Sequence, residues 1–101
     1  MSSETRPVLL LIEVELHLPS SNSLKAKRKV IRSLKDRLHN QFNVSIAEIS
    51  HLDKWQRASL AIAITGKDHA HLEGVIEKIR MKVEDIILGE AIIIGWSVEN
   101  R

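Results

Sequence analysis

A chain of 101 residues, 44% of them hydrophobic, is the size of one compact core and too short for two. Zero cysteines exclude a disulfide framework or a thiolate metal site and fit a reducing cytoplasm better than a small secreted scaffold. The formal charge is only +2, yet residues 25–37 carry seven Lys/Arg against Asp36 alone, a segment of +6 in a chain whose remainder is −4.

Residues 1–7 (MSSETRP) are polar and end in proline, which predicts a flexible leader ahead of a single domain over residues 8–101. From Val8 to Leu18 the chain alternates: Leu10, Ile12, Val14, Leu16 and Leu18 share one face, and Leu11, Glu13, Glu15 and His17 the other. That is a strand buried on one side. Its two acids break the only apolar run that resembles a targeting or membrane segment, and no run approaches the ~20 residues of a spanning helix, so no membrane partner is expected.

"PSSNS" supplies a turn with Ser23 as the natural N-cap of a helix reaching about Asn40. "VSIAEIS" and "RASLAIAIT" follow as two strands joined by the polar hairpin loop "HLDKWQ". A second helix is capped by Asp68, lined by Leu72, Val75, Ile76, Ile79, Val83, Ile86 and Ile87, and stopped by Gly89. "AIIIGWSV" closes the chain as a fourth strand, with Ile92, Ile94, Trp96 and Val98 expected in the core.

The order βαββαβ predicts an α+β, ferredoxin-like sandwich: a four-stranded antiparallel sheet ordered 4-1-3-2, two helices on one face, the other face open. Tracing the chain through it brings the end of strand one, the start of helix one and the strand 2–3 loop to the same end of the molecule.

Helix one raises the functional question. At 100° per residue, Leu24, Val30, Ile31, Leu34 and Leu38 form the core side and Lys25, Arg28, Lys29 and Arg32 a contiguous stripe opposite. Lys27 falls in the apolar sector, where its stem can pack while the ammonium reaches past the helix end. A solvated face would account for such a stripe. Helix two, however, carries the interleaved acids and bases expected of a face made for solubility. The cations of helix one crowd the first two turns, where unpaired N–H groups already make the backbone positive, at about 0.3–1 kcal/mol per misplaced charge. That arrangement becomes favourable once an anion sits at the terminus.

Cations spread over several turns suit a phosphate backbone better than one small ligand. The open sheet face offers Glu13, Glu15, Ala61 and Ala63 where a base-stacking RNA sheet would present aromatic residues, so nucleic acid should meet the helix end instead. Trp55, in the neighbouring hairpin, could stack on a base or ribose, with Gln56 and Arg57 adding local contacts and Lys54 at phosphate; alternatively it folds back over the core edge.

Other constellations carry less. His69 and His71 lie two apart beside Asp68, the wrong spacing for ligands on one helix face, so no metal is expected. Glu13 and Glu15 have no apolar surroundings to divide acid from base roles, His17 and His51 lack a nucleophile in a motif, and no glycine-rich phosphate loop exists. No enzymatic activity and no cofactor are expected.

"SLKAKR" (23–28), "SLKDRL" (33–38), "FNVSIAEI" (42–49) and "WQRASLAIA" (55–63) resemble the YlxP-like family of small bacterial proteins, over Val8 to Val98. The resemblance implies a ferredoxin-fold single domain whose gene commonly lies among those of translation initiation and ribosome maturation factors. It implies no activity, cofactor or binding residues. At Ala26 the sequence departs from the family pattern, which more often has an acid there.

Two functions follow as expectations. One is an accessory protein that binds RNA or a ribosomal subunit through Lys25, Lys27, Arg28, Lys29, Arg32, Trp55, Gln56 and Arg57. The other is a homodimer or interaction module using the open sheet face or the strand-four edge.

Overall fold

The computed structural model describes residues 6–101; of the expected leader, residues 1–5 lie outside the described residues. Six elements follow in the expected order: β1 (Val8–His17), α1 (Leu24–Gln41), β2 (Ser45–Ser50), β3 (Arg57–Gly66), α2 (His69–Ile87) and β4 (Ile92–Asn100). The strands lie in the order β2-β3-β1-β4, antiparallel throughout, with both helices on one face. This is the expected ferredoxin-like arrangement.

The alternation of β1 sets the layers. Leu10, Ile12, Val14, Leu16 and Leu18 are buried, and they meet Ile31, Leu34 and Leu38 of α1 and Leu72, Ile76, Ile79, Val83, Ile86 and Ile87 of α2. Removing each such side chain from water contributes about 1.5–3 kcal/mol, and the apolar stripes of the two helices supply that surface at 3.6-residue spacing.

The helices begin where their caps dictate. Ser23 Oγ accepts the Ala26 N–H at 3.0 Å, and Asp68 Oδ1 accepts the His71 N–H at 2.8 Å. α2 ends where Gly89 adopts φ +82°, a left-handed turn that an L side chain resists. The Ala91 N–H then closes on Ile87 O at 2.9 Å.

Strand β4 departs from the sequence expectation. Its register with β1 slips between Glu15 and Leu16, which face Gly95 and Ile93, so Ile94 is an extra, bulged residue. The bulge reverses the alternation. Ile93, Trp96 and Val98 pair with the core-facing Leu16, Val14 and Ile12, while Ile92 pairs with His17 of the open face. Ile92 and Ile94 are exposed rather than core, Val98 lies 43% exposed at the sheet edge, and Trp96 is half-buried beneath the Arg80 guanidinium, 5.0 Å from its ring centre. A matching slip in β2, between Glu48 and Ser50, leaves Ile49 exposed on the other edge.

Candidate nucleic-acid interface

Ser23 starts α1 at the end of the sheet where β1 finishes and the β2–β3 hairpin turns. Leu18 N–H donates to Gln56 O at 2.9 Å, and the Gln56 side-chain amide donates to Pro19 O at 3.1 Å and Ser21 O at 3.3 Å. The hairpin is therefore bonded to the segment that leads into α1, as the topology required.

Along α1, spacing divides the cations into two populations. Lys25, Arg28, Lys29 and Arg32 recur at steps of three and four, on the side away from Ile31, Leu34 and Leu38, and all four are exposed. Together with Ser23 and Ala26 they border one shallow, solvent-open hollow. Among the described residues no carboxylate lies within 4.0 Å of any of them, and Asp36 makes no ion pair with Arg32. The first turn of α1 contains no acid, so backbone N–H groups and side chains there have one sign.

Lys27 belongs to the other population, and here the expectation is corrected. Its stem packs as the apolar sector requires, but the ammonium turns inward and the residue is 0% exposed. Nζ donates to Glu48 Oε2 at 2.9 Å, to His51 O at 2.7 Å and to Arg57 O at 3.2 Å, which uses all three of its protons. A buried ammonium is tolerable only when so satisfied. Lys27 thus joins α1 to β2 and to both ends of the hairpin. The left-handed backbone of His51, φ +61°, aims one of those carbonyls.

Gln56 and Arg57 likewise have internal partners. Gln56 is the tie described above. Arg57 pairs with His17 across β3 and β1 and thus lies on the open sheet face, where its guanidinium reaches Glu15 Oε2 at 3.3 Å. Trp55, between these anchored residues and Lys54, stands 53% exposed; it does not fold over the core edge. Of the eight residues singled out from sequence, Lys25, Arg28, Lys29, Arg32 and Trp55 are exposed and take part in none of these ties, Gln56 and Arg57 are exposed yet bonded within the fold, and Lys27 is buried.

Sequence reasoning passed over Glu48, the counter-ion that decides the fate of Lys27. The signal was a lone acid in the strand "VSIAEIS" and a lone lysine in the apolar sector of a neighbouring helix, each inexplicable without the other. Sequence also gives no partner for Glu15, which reads as a solvated acid or one pairing across a dimer. Glu15 instead accepts the Ser59 hydroxyl as well as Arg57, and lies 3.8 Å from His51 Nε2. The Ser59 hydrogen bond, ahead of Arg57 and His51, holds its carboxyl below the usual carboxylate range against a smaller opposing effect of desolvation. Gly95 sits opposite, where a Cβ would come within 3.2 Å of the Glu15 side chain.

No group of three or more metal-ligating side chains occurs among the described residues, His69 and His71 included. No helix among them is long and apolar enough to cross a membrane.

Comparison with known proteins bears on the fold and the family. Two solved structures share the architecture: a C-terminal segment of the alpha subunit of aIF2 from Pyrococcus abyssi (TM-score 0.53, 21% identity, 90% of this chain) and the de novo designed protein Foldit4 (TM-score 0.51, 14% identity, 95% of this chain and 94% of that one). The chain spans about half, 51%, of the aIF2 structure's length. At such identities the likeness is one of fold. In sequence, the chain is 37% identical over 67 residues to the uncharacterized protein YlxP of Bacillus subtilis (strain 168), covering 66% of this chain and 73% of that one. The model of the family described as "Protein of unknown function (DUF503)" matches residues 9–94, from β1 into β4. With its pattern running through all six elements, this chain belongs to the YlxP-like, DUF503 family of uncharacterised bacterial proteins.

Proposed function

We propose that this protein is a non-enzymatic accessory factor that binds RNA, ribosomal RNA or a ribosomal subunit being the intended target, through the N-terminal half of α1. The observation that carries the reading is the contrast within one helix. Lys27 is matched by a carboxylate at 2.9 Å, whereas Lys25, Arg28, Lys29 and Arg32 share an exposed face with no carboxylate of the described residues within 4.0 Å of them, Asp36 and Glu48 lying only at the margin beside Arg28 and Arg32. Lys25, in the first turn, opposes the helix dipole, the four like charges repel one another along one face, and a polyanion removes both costs. The acidic open face around Glu13 and Glu15 leaves α1 as the side a phosphate backbone would approach. The gene neighbourhood implied by the family resemblance favours RNA over DNA. The aIF2 segment contributes the fold alone.

Titration of a structured ribosomal RNA fragment against salt, followed by anisotropy, tests this. Neutralising about four phosphates gives log affinity against log salt a slope of about −3 to −4, and the double reversal Arg28→Glu/Arg32→Glu should flatten it by about two. Co-sedimentation with ribosomal subunits should fall in parallel. Undiminished binding by that variant rejects the assignment.

A homodimer or interaction module is the competing reading, favoured by Ile92, Ile94 and Val98, which are 55%, 50% and 43% exposed along the edge strand β4. Light scattering separates the two: a monomer at micromolar concentration removes the dimer and leaves the RNA reading intact.

A further inference from the structure

Resting on that RNA-binding reading, we propose the class of its ligand: base-paired RNA interrupted by a single unpaired nucleotide, with α1 on the backbone of the paired stem and Trp55 against the unpaired base. The cation row and the aromatic group impose different demands. Lys25, Arg28, Lys29 and Arg32 lie on one face of a continuous helix, spanning about 10 Å of rise, so the spacing of their backbone attachment points is fixed before any ligand arrives. A row on a rigid backbone matches a regular array of phosphates, as a paired stem presents. An unstructured strand is held differently, by a groove in which successive bases stack on successive aromatic rings.

This chain has no such series. It contains two Trp, one Phe and no Tyr. Phe42 and Trp96 pack against the core, which leaves Trp55 as the one exposed Phe, Tyr or Trp ring among the described residues. The sheet face, where other ring-bearing RNA modules stack bases, carries Glu13 and Glu15 among alanine, serine and glycine, with His17 and Arg57 at one end and Arg57 already turned onto Glu15. One ring can take one base.

The loop that carries that ring is anchored to the helix that carries the row. Lys27 of α1 bonds to His51 O and Arg57 O, the residues that bracket Trp55 on both sides, and Gln56 bonds to Pro19 O and Ser21 O ahead of the helix. Neither element can shift alone without breaking those bonds, so the loop that carries the ring and the helix that carries the row keep a fixed relation before a ligand arrives. A base within a continuous stack is unavailable to Trp55. A bulged base is available, and splayed bases are the form in which RNA is commonly read by aromatic side chains.

Three RNA probes with equal numbers of phosphates test this on the full chain by anisotropy at one salt concentration: a perfect hairpin stem, that stem with a single bulged nucleotide inserted and one nucleotide removed from its loop, and an unstructured strand of the same length. The bulged stem should bind tightest, by about five- to a hundredfold over the perfect stem, the span expected of one base–aromatic stack. Trp55→Ala should remove that advantage while leaving perfect-stem affinity and salt slope unchanged, and Trp55→Phe should restore most of it. With 2-aminopurine as the bulged base, its fluorescence should be quenched on binding the natural chain and not the alanine variant. Equal affinity for the two stems, tightest binding of the unstructured strand, or an equal loss on all probes for Trp55→Ala overturns the ligand class while the RNA reading stands. Failure of every probe to bind overturns both.

Discussion

The two most strongly charged regions of the molecule lie on opposite sides of its sheet and are treated in opposite ways. On the open face, Glu15 is met by Ser59, Arg57 and His51. On the helical side, Lys25, Arg28, Lys29 and Arg32 have no carboxylate partner among the described residues. Elsewhere the first pattern recurs: Lys27 has Glu48, Arg80 has Glu84 and the ring of Trp96, and Arg101 has Glu99. Lys35, Arg37, Lys54, Lys67, Lys78 and Lys82 also make no ion pair among the described residues, so the outer stripe of α1 is the exception in gathering four such cations on one helix face that begins in the first turn. An exception against helix electrostatics calls for a cause outside the fold, and that is the weight the stripe carries.

The sharpest way to press the comparison is between neighbours in sequence. Lys27→Met would leave a Glu48 carboxylate with only 15% side-chain exposure and no counter-ion, and would strip donors from His51 O and Arg57 O. A loss of about 3–5 kcal/mol in urea-unfolding free energy is expected. Adding Glu48→Leu should return much of it, because the costly state is the unpaired ion. Arg28→Met, one residue on, should stay within about 0.5 kcal/mol, since nothing in the fold depends on it. Equal losses at the two positions would erase the distinction between compensated and free cations.

The sequence made much of this visible and hid the rest for identifiable reasons. Alternation in β1, the apolar stripes of both helices, Ser23, Asp68 and Gly89 are local signals, and each appears in the structure where its period or cap places it. The exposed row on α1 was legible because helix geometry alone decides which residues share a face. The partners of Lys27, Gln56 and Arg57 were not, since they lie 21 to 42 residues away and depend on strand register. The bulge at Ile94 was illegible for a related reason. "AIIIGWSV" fits either face of a strand, so the strand's pairing with β1, and not its own pattern, determined that Ile93 rather than Ile94 turns inward.

A smaller effect of opposite sign tests the exception directly. Lys25 occupies the second position of α1, within the first turn. Lys25→Glu should place a favourable charge at the positive end of the dipole, four residues before Lys29 in the better polarity, and raise stability by about 0.3–1 kcal/mol. The same variant should weaken RNA binding and reduce the magnitude of the salt slope by at least one. A residue whose reversal stabilises the fold while damaging binding is one whose charge serves the ligand. If Lys25→Glu destabilises the protein, the stripe has a structural purpose and the contrast with Glu15 loses its meaning.

The smallest expected effect lies on the compensated side. Because the Ser59 hydroxyl, with Arg57 and His51, holds the Glu15 carboxyl below the usual carboxylate range, the folded state binds this proton less readily than the unfolded chain does. Its contribution is therefore complete above the ordinary glutamate range and is lost as pH falls through the depressed folded value, never as pH rises. Glu15 is 38% exposed in its side chain, and solvent screening keeps the effect on global stability modest. The local titration is the better observable. Followed by the carboxyl carbon resonance of Glu15, the midpoint should lie below that of an unstructured glutamate, and Ser59→Ala should move it upward by removing the largest of the three influences. Arg57→Met should move it upward by less. If Arg57→Met has the greater effect, the open face is governed by its ion pair rather than by the buried hydroxyl, and compensation there is purely coulombic, as it is between Arg80 and Glu84.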